Sequence, residues 1–238
     1  MQGMLTETKV SRDGTRLHRR TLIQVGEETL TVRRYHPNRK ALPRAIRNCD
    51  HVLYPRGCAQ NREASLPLFQ YFLPDVLGRL ERIYFPDRCV TVALVSKELS
   101  SAAKNALMQT LAFAGHCILC TENGDDLASE LLDEYGLAAV ATPELRLIRQ
   151  AELVLAYDDP NEWIRLCNPN AIVLNLSPDS MGVHYGRTVI DGVEPKPLPE
   201  YSERLPEDGD WSAFCGLFLN QLKDRLSLKH PLYARGIK

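Results

Sequence analysis

Residues 88–179 decide the fold, because four short apolar runs recur in them: VTVALV at 90–95, CILC at 117–120, LVLAY at 153–157 and IVLNL at 172–176. A fifth and weaker run, LAAVA, covers 137–141. Segments with a helical pattern of polar and apolar residues separate the runs. Continuous apolar strands that alternate with helices are typical of a parallel sheet buried on both faces. The stretch therefore predicts an α/β domain.

Capping signals predict where the intervening helices begin and end. Ser100 is a candidate N-cap and Gly115 a candidate C-terminal stop for the first helix, because a serine hydroxyl accepts a first-turn N–H and glycine readily ends helices. Gly136 is a candidate C-terminal stop for a second helix, which begins at Asp125 or Asp126. Thr142, followed by proline, predicts the start of a third helix.

The size and composition restrict the class of protein. The chain has 238 residues and a mass of 26.9 kDa, which suits one large domain or one domain with a smaller one. No apolar run approaches the ~20 residues that span a bilayer, and the start MQGMLTETKV has no apolar signal core. Seven cysteines without regular spacing are typical of reduced thiols. We therefore predict a cytoplasmic protein with no membrane partner.

Positive charge is concentrated near the N-terminus. Residues 1–62 hold thirteen Lys and Arg against five acids, so the overall net charge of −1 leaves a net charge of −9 for residues 63–238. Within this part, RTLIQVGEETLTVRRY at 20–35 predicts a β-hairpin that turns at Gly26 and brings arginines together. The asymmetry indicates docking on an acidic surface, most simply the rest of the same chain, or else an anionic partner such as a nucleic acid.

The chain is predicted to form two domains. Proline and glycine punctuate residues 36–65, and a helical pattern that Pro74 interrupts follows at 66–85. We predict a small basic α+β domain over residues 1–82, with that helix as the link, and an α/β domain over residues 83–238. A short hairpin near Gly186 and a final helix over 211–228 would complete the second domain.

The order of strands and helices predicted for about residues 88–228 resembles that of known families. The matching segments are VTVALVS at 90–96, SAAKNALMQTLAFAG at 101–115, ELVLAYD at 152–158 and PNAIVLNL at 169–176. It resembles the NAD(P)-binding domains of shikimate dehydrogenases and methylene-tetrahydrofolate dehydrogenases, and the cofactor domain of cyanobacterial acyl-carrier-protein reductases. Because the likeness lies in pattern more than in motif, it implies a Rossmann-like parallel sheet flanked by helices and says little about chemistry.

The first crossover loop departs from this resemblance. Those families place glycines after the first strand, because the backbone there must approach a pyrophosphate. Here Ser96, Glu98 and Ser101 stand at these positions, and no glycine occurs between Cys89 and Gly115. Glu98 would also bring a carboxylate toward the phosphates, and two like charges ~4 Å apart cost ~1 kcal/mol in water. The usual dinucleotide loop is therefore missing.

Other residues are compatible with NAD or NADP as a cofactor. Lys97 and Lys104 lie near the predicted N-terminus of the first helix, where an anion is stabilised. Glu122 follows the second strand, where the resemblance implies a ribose-binding acid. An acid is also common in any exposed turn.

A ligand crevice is expected at the carboxyl ends of the strands, where the strand order reverses. The polar residues predicted to bind a ligand there are Ser96, Lys97, Glu98, Ser100, Ser101, Glu122, Asp158, Asp159 and Ser177. His184 and Tyr185 are further candidates for the lining of this crevice. Asp158 and Asp159 could supply a general base or a metal ligand, or could cap the helix that follows Pro160. No residue stands out as catalytic.

No metal site is predicted. Cys117 and Cys120 are three residues apart on a strand and face opposite sides, which indicates core residues. Cys49, His51 and Cys58 are spaced more loosely than zinc ligands usually are.

Three functional hypotheses follow from the sequence. The first is a divergent Rossmann-like protein that binds a small molecule or a protein partner in the crevice, with homo-oligomerisation as a further option. The second is an NAD(P)-dependent oxidoreductase with an atypical phosphate loop. The third is nucleic-acid binding through the basic N-terminal part. Whether the protein is an enzyme stays open at this point.

Overall fold

Two β-sheets organise the described residues. A computed structural model describes residues 2–6, 18–35, 51–54, 56, 58–179, 184–202 and 209–233. The chain divides into one unit of residues 1–68 with 194–230 and another of residues 69–193 with 231–238. The two-domain division after residue 82 stays a prediction.

The elements are as follows. The strands are β1 (Gln2–Thr6), β2 (His18–Val25), β3 (Glu28–Tyr35), β4 (His51–Leu53), β5 (Val90–Val95), β6 (Ala114–Cys120), β7 (Ala139–Ala141), β8 (Leu153–Ala156), β9 (Ile172–Asn175), β10 (Thr188–Pro195) and β11 (Leu228–Tyr233). The α-helices are α1 (Arg62–Tyr71), α2 (Leu73–Tyr84), α3 (Ser101–Met108), α4 (Asp125–Tyr135), α5 (Pro199–Ser202), α6 (Trp211–Leu217) and α7 (Leu219–Leu222). Short 3-10 turns occupy Ala59–Asn61, Leu145–Gln150, Pro160–Glu162, Ile164–Leu166 and Lys223–Arg225. Among the described helices, none is long and apolar enough to cross a membrane.

The larger sheet has seven strands in the order β11-β10-β9-β8-β5-β6-β7. β5 pairs in parallel with β6 on one side and with β8 on the other, and β9 is parallel to both β8 and β10. The chain therefore moves outward from β5 to β6 and β7, then returns to the other side of β5 at β8. This confirms the predicted Rossmann-like α/β fold and places the reversal of strand order between β5 and β8.

The central strands of this sheet are buried on both faces, which explains their continuous apolar text. Every residue of β8 and β9 is buried. On one face, Ala93, Ile118, Val154 and Val173 belong to a buried cluster that Trp163 covers from the crossover between β8 and β9. Apolar residues alone do not distinguish the two faces, so the sequence shows a run without alternation.

The predicted end of the first helix is wrong. α3 begins after Ser100 as expected, but it ends at Met108 and does not continue to Ala114. Gly115 does not stop a helix; it lies in β6, where a Cβ atom would be only 2.7 Å from the Cβ atom of Cys89. A close approach between neighbouring segments explains this glycine. By contrast, Gly136 ends α4 in the left-handed conformation, with φ of 64°, as predicted.

The third predicted helix and the hairpin near Gly186 are also corrected. The Thr142 hydroxyl accepts the N–H of Glu144 in a local turn. The segment that follows is a 3-10 turn and not an α-helix, and it begins after Glu144 without a side-chain cap, so the predicted capping role of Thr142 is wrong. The residues around Gly186 form a turn closed by the Arg187 N–H and the His184 carbonyl. The strand after this turn, β10, pairs in parallel with β9 and so forms no hairpin with the segment before it.

The predicted final helix over 211–228 is interrupted. It divides at Phe218 into α6 and α7, and the chain then enters β11, a strand that was not predicted. Phe214, Phe218 and Leu222 are buried, whereas Gln221 is exposed.

The smaller sheet has four strands in the order β2-β3-β1-β4. β2 and β3 form the predicted antiparallel hairpin with its turn at Gly26, and Arg20 pairs with Arg33 in its register. The side chains of these arginines lie outside the described part of the structure, so the nucleic-acid hypothesis is untested. β1 pairs in parallel with both β3 and β4.

Candidate functional site

The crevice at the reversal of strand order is crossed by two hydrogen bonds. The Lys97 N–H, directly after β5, donates to Oδ2 of Asp158, directly after β8, at 2.5 Å. The Tyr157 hydroxyl donates to the carbonyl of Ala102, in the first turn of α3, at 2.9 Å. Burial raises the pKa of Tyr157 to about 12, so this hydroxyl keeps its proton at neutral pH. The loop after β8 is therefore tied to the loop and helix that follow β5.

The loop after β5 satisfies its own polar groups. Ser96 is buried, and its hydroxyl donates to the Glu98 carbonyl at 2.6 Å. The same carbonyl accepts the N–H of Ser100 at 2.9 Å. The Ser100 hydroxyl accepts the N–H of Ala103 at 3.1 Å, which confirms Ser100 as the N-cap of α3. Ser101, the first helical residue, is exposed.

The two lysines of this region differ in what they contact. Lys104 Nζ donates to Oε2 of Glu130 in α4 at 2.6 Å, and this hydrogen bond raises the pKa of Lys104. Its ammonium is therefore directed toward α4. Lys97 is exposed, and its carbonyl accepts hydrogen bonds from the loop after β6, namely from the Thr121 hydroxyl at 3.4 Å and from the Glu122 N–H at 3.5 Å. The side chain of Glu122 is exposed.

The adjacent carboxylates Asp158 and Asp159 have different partners. Oδ1 of Asp159 accepts the Asn161 N–H at 2.9 Å and the Asn161 side-chain amide at 2.6 Å. Asp159 thus caps the 3-10 turn at Pro160–Glu162, as one of the two sequence interpretations held. Asp158 instead crosses the crevice to Lys97.

A second group of polar residues lies at the end of β9, and of these only Ser177 was predicted to bind a ligand. Asn175 is completely buried, and its side-chain amide donates to Oδ1 of Asp191 at 2.5 Å and to the Asp179 carbonyl at 2.8 Å. Its Oδ1 accepts the Ser177 hydroxyl at 2.8 Å. The predicted residue Ser177 therefore belongs to this group. The available signal was a single polar residue, Asn175, within the apolar run IVLNL.

The structure brings most of the predicted site residues together. Hydrogen bonds join the loops that carry Ser96, Lys97, Glu98, Ser100, Glu122 and Asp158. His184 and Tyr185 are a correction, because they precede β10, which is parallel to β9. They therefore lie at the amino ends of the strands and do not line the crevice.

Cys117 and Cys120 are held as neutral thiols in the core. Cys117 and Cys120 are buried, and burial raises the pKa of Cys117 to about 12 and that of Cys120 to about 11. In the part of the chain that the structure describes, no group of three His, Cys, Asp or Glu residues could hold a metal ion. Cys49 lies outside the described residues, and the His51 ring meets that of Phe218 edge-on.

Comparisons with known proteins give a distant structural resemblance and no sequence family. No family model matches the chain, and no curated protein sequence matches it significantly. Among solved structures, a dipicolinate synthase subunit from Bacillus halodurans is 11% identical, with a TM-score of 0.39 over 80% of this chain and 64% of that one. Shikimate dehydrogenase from Aquifex aeolicus is 10% identical, with a TM-score of 0.32 over 73% and 77%. Aspartate transcarbamoylase from Trypanosoma cruzi is 12% identical, with a TM-score of 0.34 over 78% and 60%.

This chain therefore spans less than two thirds of the length of the synthase subunit and of the transcarbamoylase. The resemblance to Rossmann-like dehydrogenases that the sequence indicated is present as a distant likeness of structure.

Proposed function

We propose that this protein is a Rossmann-like binding module whose crevice receives an uncharged or basic group and not the diphosphate of a dinucleotide. The occupant would be a small molecule or a protein partner that presents such a group. The observation that carries the proposal is the hydrogen bond from the Lys97 N–H to the Asp158 carboxylate. A main-chain N–H after the first strand is the kind of donor that a phosphate uses. Here the Asp158 carboxylate already accepts the hydrogen bond from the Lys97 N–H, which a phosphate would otherwise take.

The charges around the crevice support the same conclusion. The loops at the carboxyl ends of β5, β6 and β8 carry four carboxylates (Glu98, Glu122, Asp158 and Asp159) and one ammonium (Lys97). The second lysine of the region is paired with Glu130. Two like charges ~4 Å apart repel by ~1 kcal/mol in water and by ~4 kcal/mol at an effective dielectric constant of 20. The same carboxylates attract a basic group.

The direct test is calorimetric titration of the full chain with NAD⁺, NADH, NADP⁺ and NADPH. We expect no binding tighter than about 1 mM for any of them. A thermal-shift series with phosphate-free amines such as arginine and spermidine tests the positive claim, since ligands that bind the folded state raise its melting temperature. Micromolar dinucleotide binding would refute the proposal and favour an oxidoreductase in which Lys97 contacts phosphate and Glu122 the ribose. In that case the substitution Glu122→Ala should selectively weaken the binding of the cofactor.

A gain of binding is expected when the two obstructing carboxylates are removed. Asp158→Ala frees the Lys97 N–H, and Glu98→Gly removes both a charge and a Cβ atom from the loop after β5. Inorganic diphosphate should bind the double variant at least about tenfold more tightly than the parent, as measured by calorimetry. The double variant Asp126→Ala with Asp133→Ala is the matched control, because it removes two exposed carboxylates in α4. An equal gain in diphosphate affinity in the control would show that the effect comes from net charge and not from this loop.

A further inference from the structure

We propose that β7 pairs with the β7 strand of a second copy of this chain, so that two sheets join across a two-fold axis. β7 ends the strand order of the seven-stranded sheet, and among the described residues it is paired with β6 alone. This inference concerns a surface other than the crevice and goes beyond the proposed function.

The main-chain groups of β7 fall into an inward set and an outward set. The Cys117 N–H donates to the Ala138 carbonyl, and the Thr142 N–H donates to the Leu119 carbonyl. Residues 138, 140 and 142 therefore direct their polar groups toward β6. Since successive residues of a strand alternate in direction, Ala139 and Ala141 direct their N–H and C=O groups away from the sheet.

The outward groups are arranged symmetrically about Val140. An antiparallel partner can pair Ala139 of one copy with Ala141 of the other, and the reverse, which gives two hydrogen-bonded pairs. The two copies of Val140 then face each other on the two-fold axis as a non-hydrogen-bonded pair, in which side chains lie close. A surface that complements itself in this way is what a closed two-fold dimer requires.

Apolar side chains are exposed on both faces of this edge. Val140 is 41% exposed and shares a face with Ile118, its partner in the register. Ala141 faces the opposite side, where a Cβ atom at Gly124, next to α4, would lie 3.0 Å from it. On α4, Leu132 is 57% and Tyr135 49% exposed.

Leu132 lies on the flank of α4 that turns away from α3. Glu130 contacts Lys104 of α3, and at about 100° per residue Leu132 falls on the opposite side of the helix. A helix ~10 Å wide extends beyond an edge strand, because strands lie only ~4.8 Å apart. A strand added beside β7 would cover this flank.

The distribution of charge favours a second copy over a basic partner. α4 contains five acids and no base, and Asp126, Glu130 and Asp133 cluster on the flank opposite Leu132. Asp125 lies on the same face of the helix as Leu132, about 10 Å along the axis from it. Most of the acids of α4 therefore lie away from the proposed surface, and two copies would meet mainly through uncharged side chains.

The two ends of the sheet also differ in composition. β11, at the other end, contains Lys229, His230 and Pro231, residues that protect edge strands from pairing. β7 reads AVA and has none of these. The composition therefore favours association at the β7 end.

The size of the surface predicts a weak dimer. Three apolar side chains per copy are far less than the ~800 Å² per partner of a standard interface. We therefore expect a dissociation constant in the micromolar range and a mass that depends on protein concentration.

The test is sedimentation velocity of the full chain from about 1 to 200 µM. The average mass should rise from that of a monomer toward that of a dimer. Ala139→Pro removes one outward N–H and leaves the ladder to β6 intact, since proline is tolerated on an edge strand. Leu132→Glu places a charge on the exposed flank. Each should raise the dissociation constant at least about tenfold.

Ile83→Glu is the matched control, because Ile83 is 67% exposed on α2 and lies outside the proposed surface. A parent chain that stays monomeric throughout would overturn the proposal. A dimer that neither variant weakens, or that Ile83→Glu weakens equally, would overturn it as well. Circular dichroism checks folding, and Leu132→Glu, at an exposed position, decides the matter if Ala139→Pro does not fold. The outcome is independent of the nucleotide titrations.

Discussion

Gly216→Ala is expected to destabilise the protein by about 3 kcal/mol or more, the upper range for overpacking a tight contact. A Cβ atom at Gly216 in α6 would lie 2.0 Å from the Ala64 carbonyl oxygen and 3.2 Å from the Ser65 Cα atom, both in α1. These are main-chain atoms, so the clash cannot be relieved by a change of rotamer. α6 and α1 would have to move apart, and α6 is buried at every position from Trp211 to Gly216.

Urea unfolding followed by circular dichroism measures this loss as a lower midpoint. Gly78→Ala in α2 is the control, since nothing lies within 4 Å of the Cβ atom it would add. There the higher helix propensity of alanine should leave stability unchanged or raise it by up to about 1 kcal/mol. Equal midpoints for the two variants would show that the contact between α1 and α6 is not as tight as described.

The parts of the fold that follow from local rules were predictable. Uninterrupted apolar runs identified β5, β8 and β9, because a strand covered on both faces has no polar side to show. Ser100 and Gly136 marked helix ends through capping. Pro74 marked the start of α2, because proline is favoured in the first turn of a helix, where its missing N–H costs nothing.

The errors arise where a contact distant in sequence decides the outcome. Gly115 looked like a helix stop, but its reason is the nearby Cys89, 26 positions earlier in the chain. The 3.6-residue period continues through Phe218, so the break between α6 and α7 leaves no signal in the sequence. β11 contains two charged or titratable residues and a proline, and an edge strand of this composition has no clear pattern.

The candidate site shows the same limit. The reversal of strand order predicted where the loops after β5 and β8 meet, because topology determines which loops are neighbours. The sequence could not decide which of the adjacent residues Asp158 and Asp159 caps a turn and which crosses to Lys97. That difference depends on the direction of two side chains in one loop, and hence on the position of β5 beside β8.

Asn175→Asp is expected to make stability strongly dependent on pH, with a loss of about 3 kcal/mol at neutral pH. The Asn175 amide now donates to the Asp191 carboxylate at 2.5 Å and to the Asp179 carbonyl at 2.8 Å. An ionised carboxyl in this buried place would oppose a carboxylate and a carbonyl oxygen with no proton to share. Burial and the neighbouring charge therefore raise the pKa of the introduced carboxyl in the folded state above its ordinary ~3.9.

The sign of the pH dependence follows from that raised pKa. Below about pH 4 the introduced carboxyl is protonated in both states and can donate its proton to Asp191, so the variant should differ little from the parent. Above about pH 4 the unfolded chain releases this proton and the folded chain keeps it. Relative stability then falls by up to about 1.4 kcal/mol per pH unit until the folded-state pKa is passed.

Urea unfolding of parent and variant at several values between about pH 4.5 and 7.5 measures this divergence. Asn175→Ala is the control, because it removes the acceptor of the Ser177 hydroxyl without adding a titratable group. Its loss is about 1–3 kcal/mol for unsatisfied buried partners. Because no titratable group is added, this loss should depend less on pH than that of Asn175→Asp. If the free energy of unfolding of both variants varied with pH in the same way as that of the parent, the Asp191 carboxylate would not face Asn175 in the folded protein.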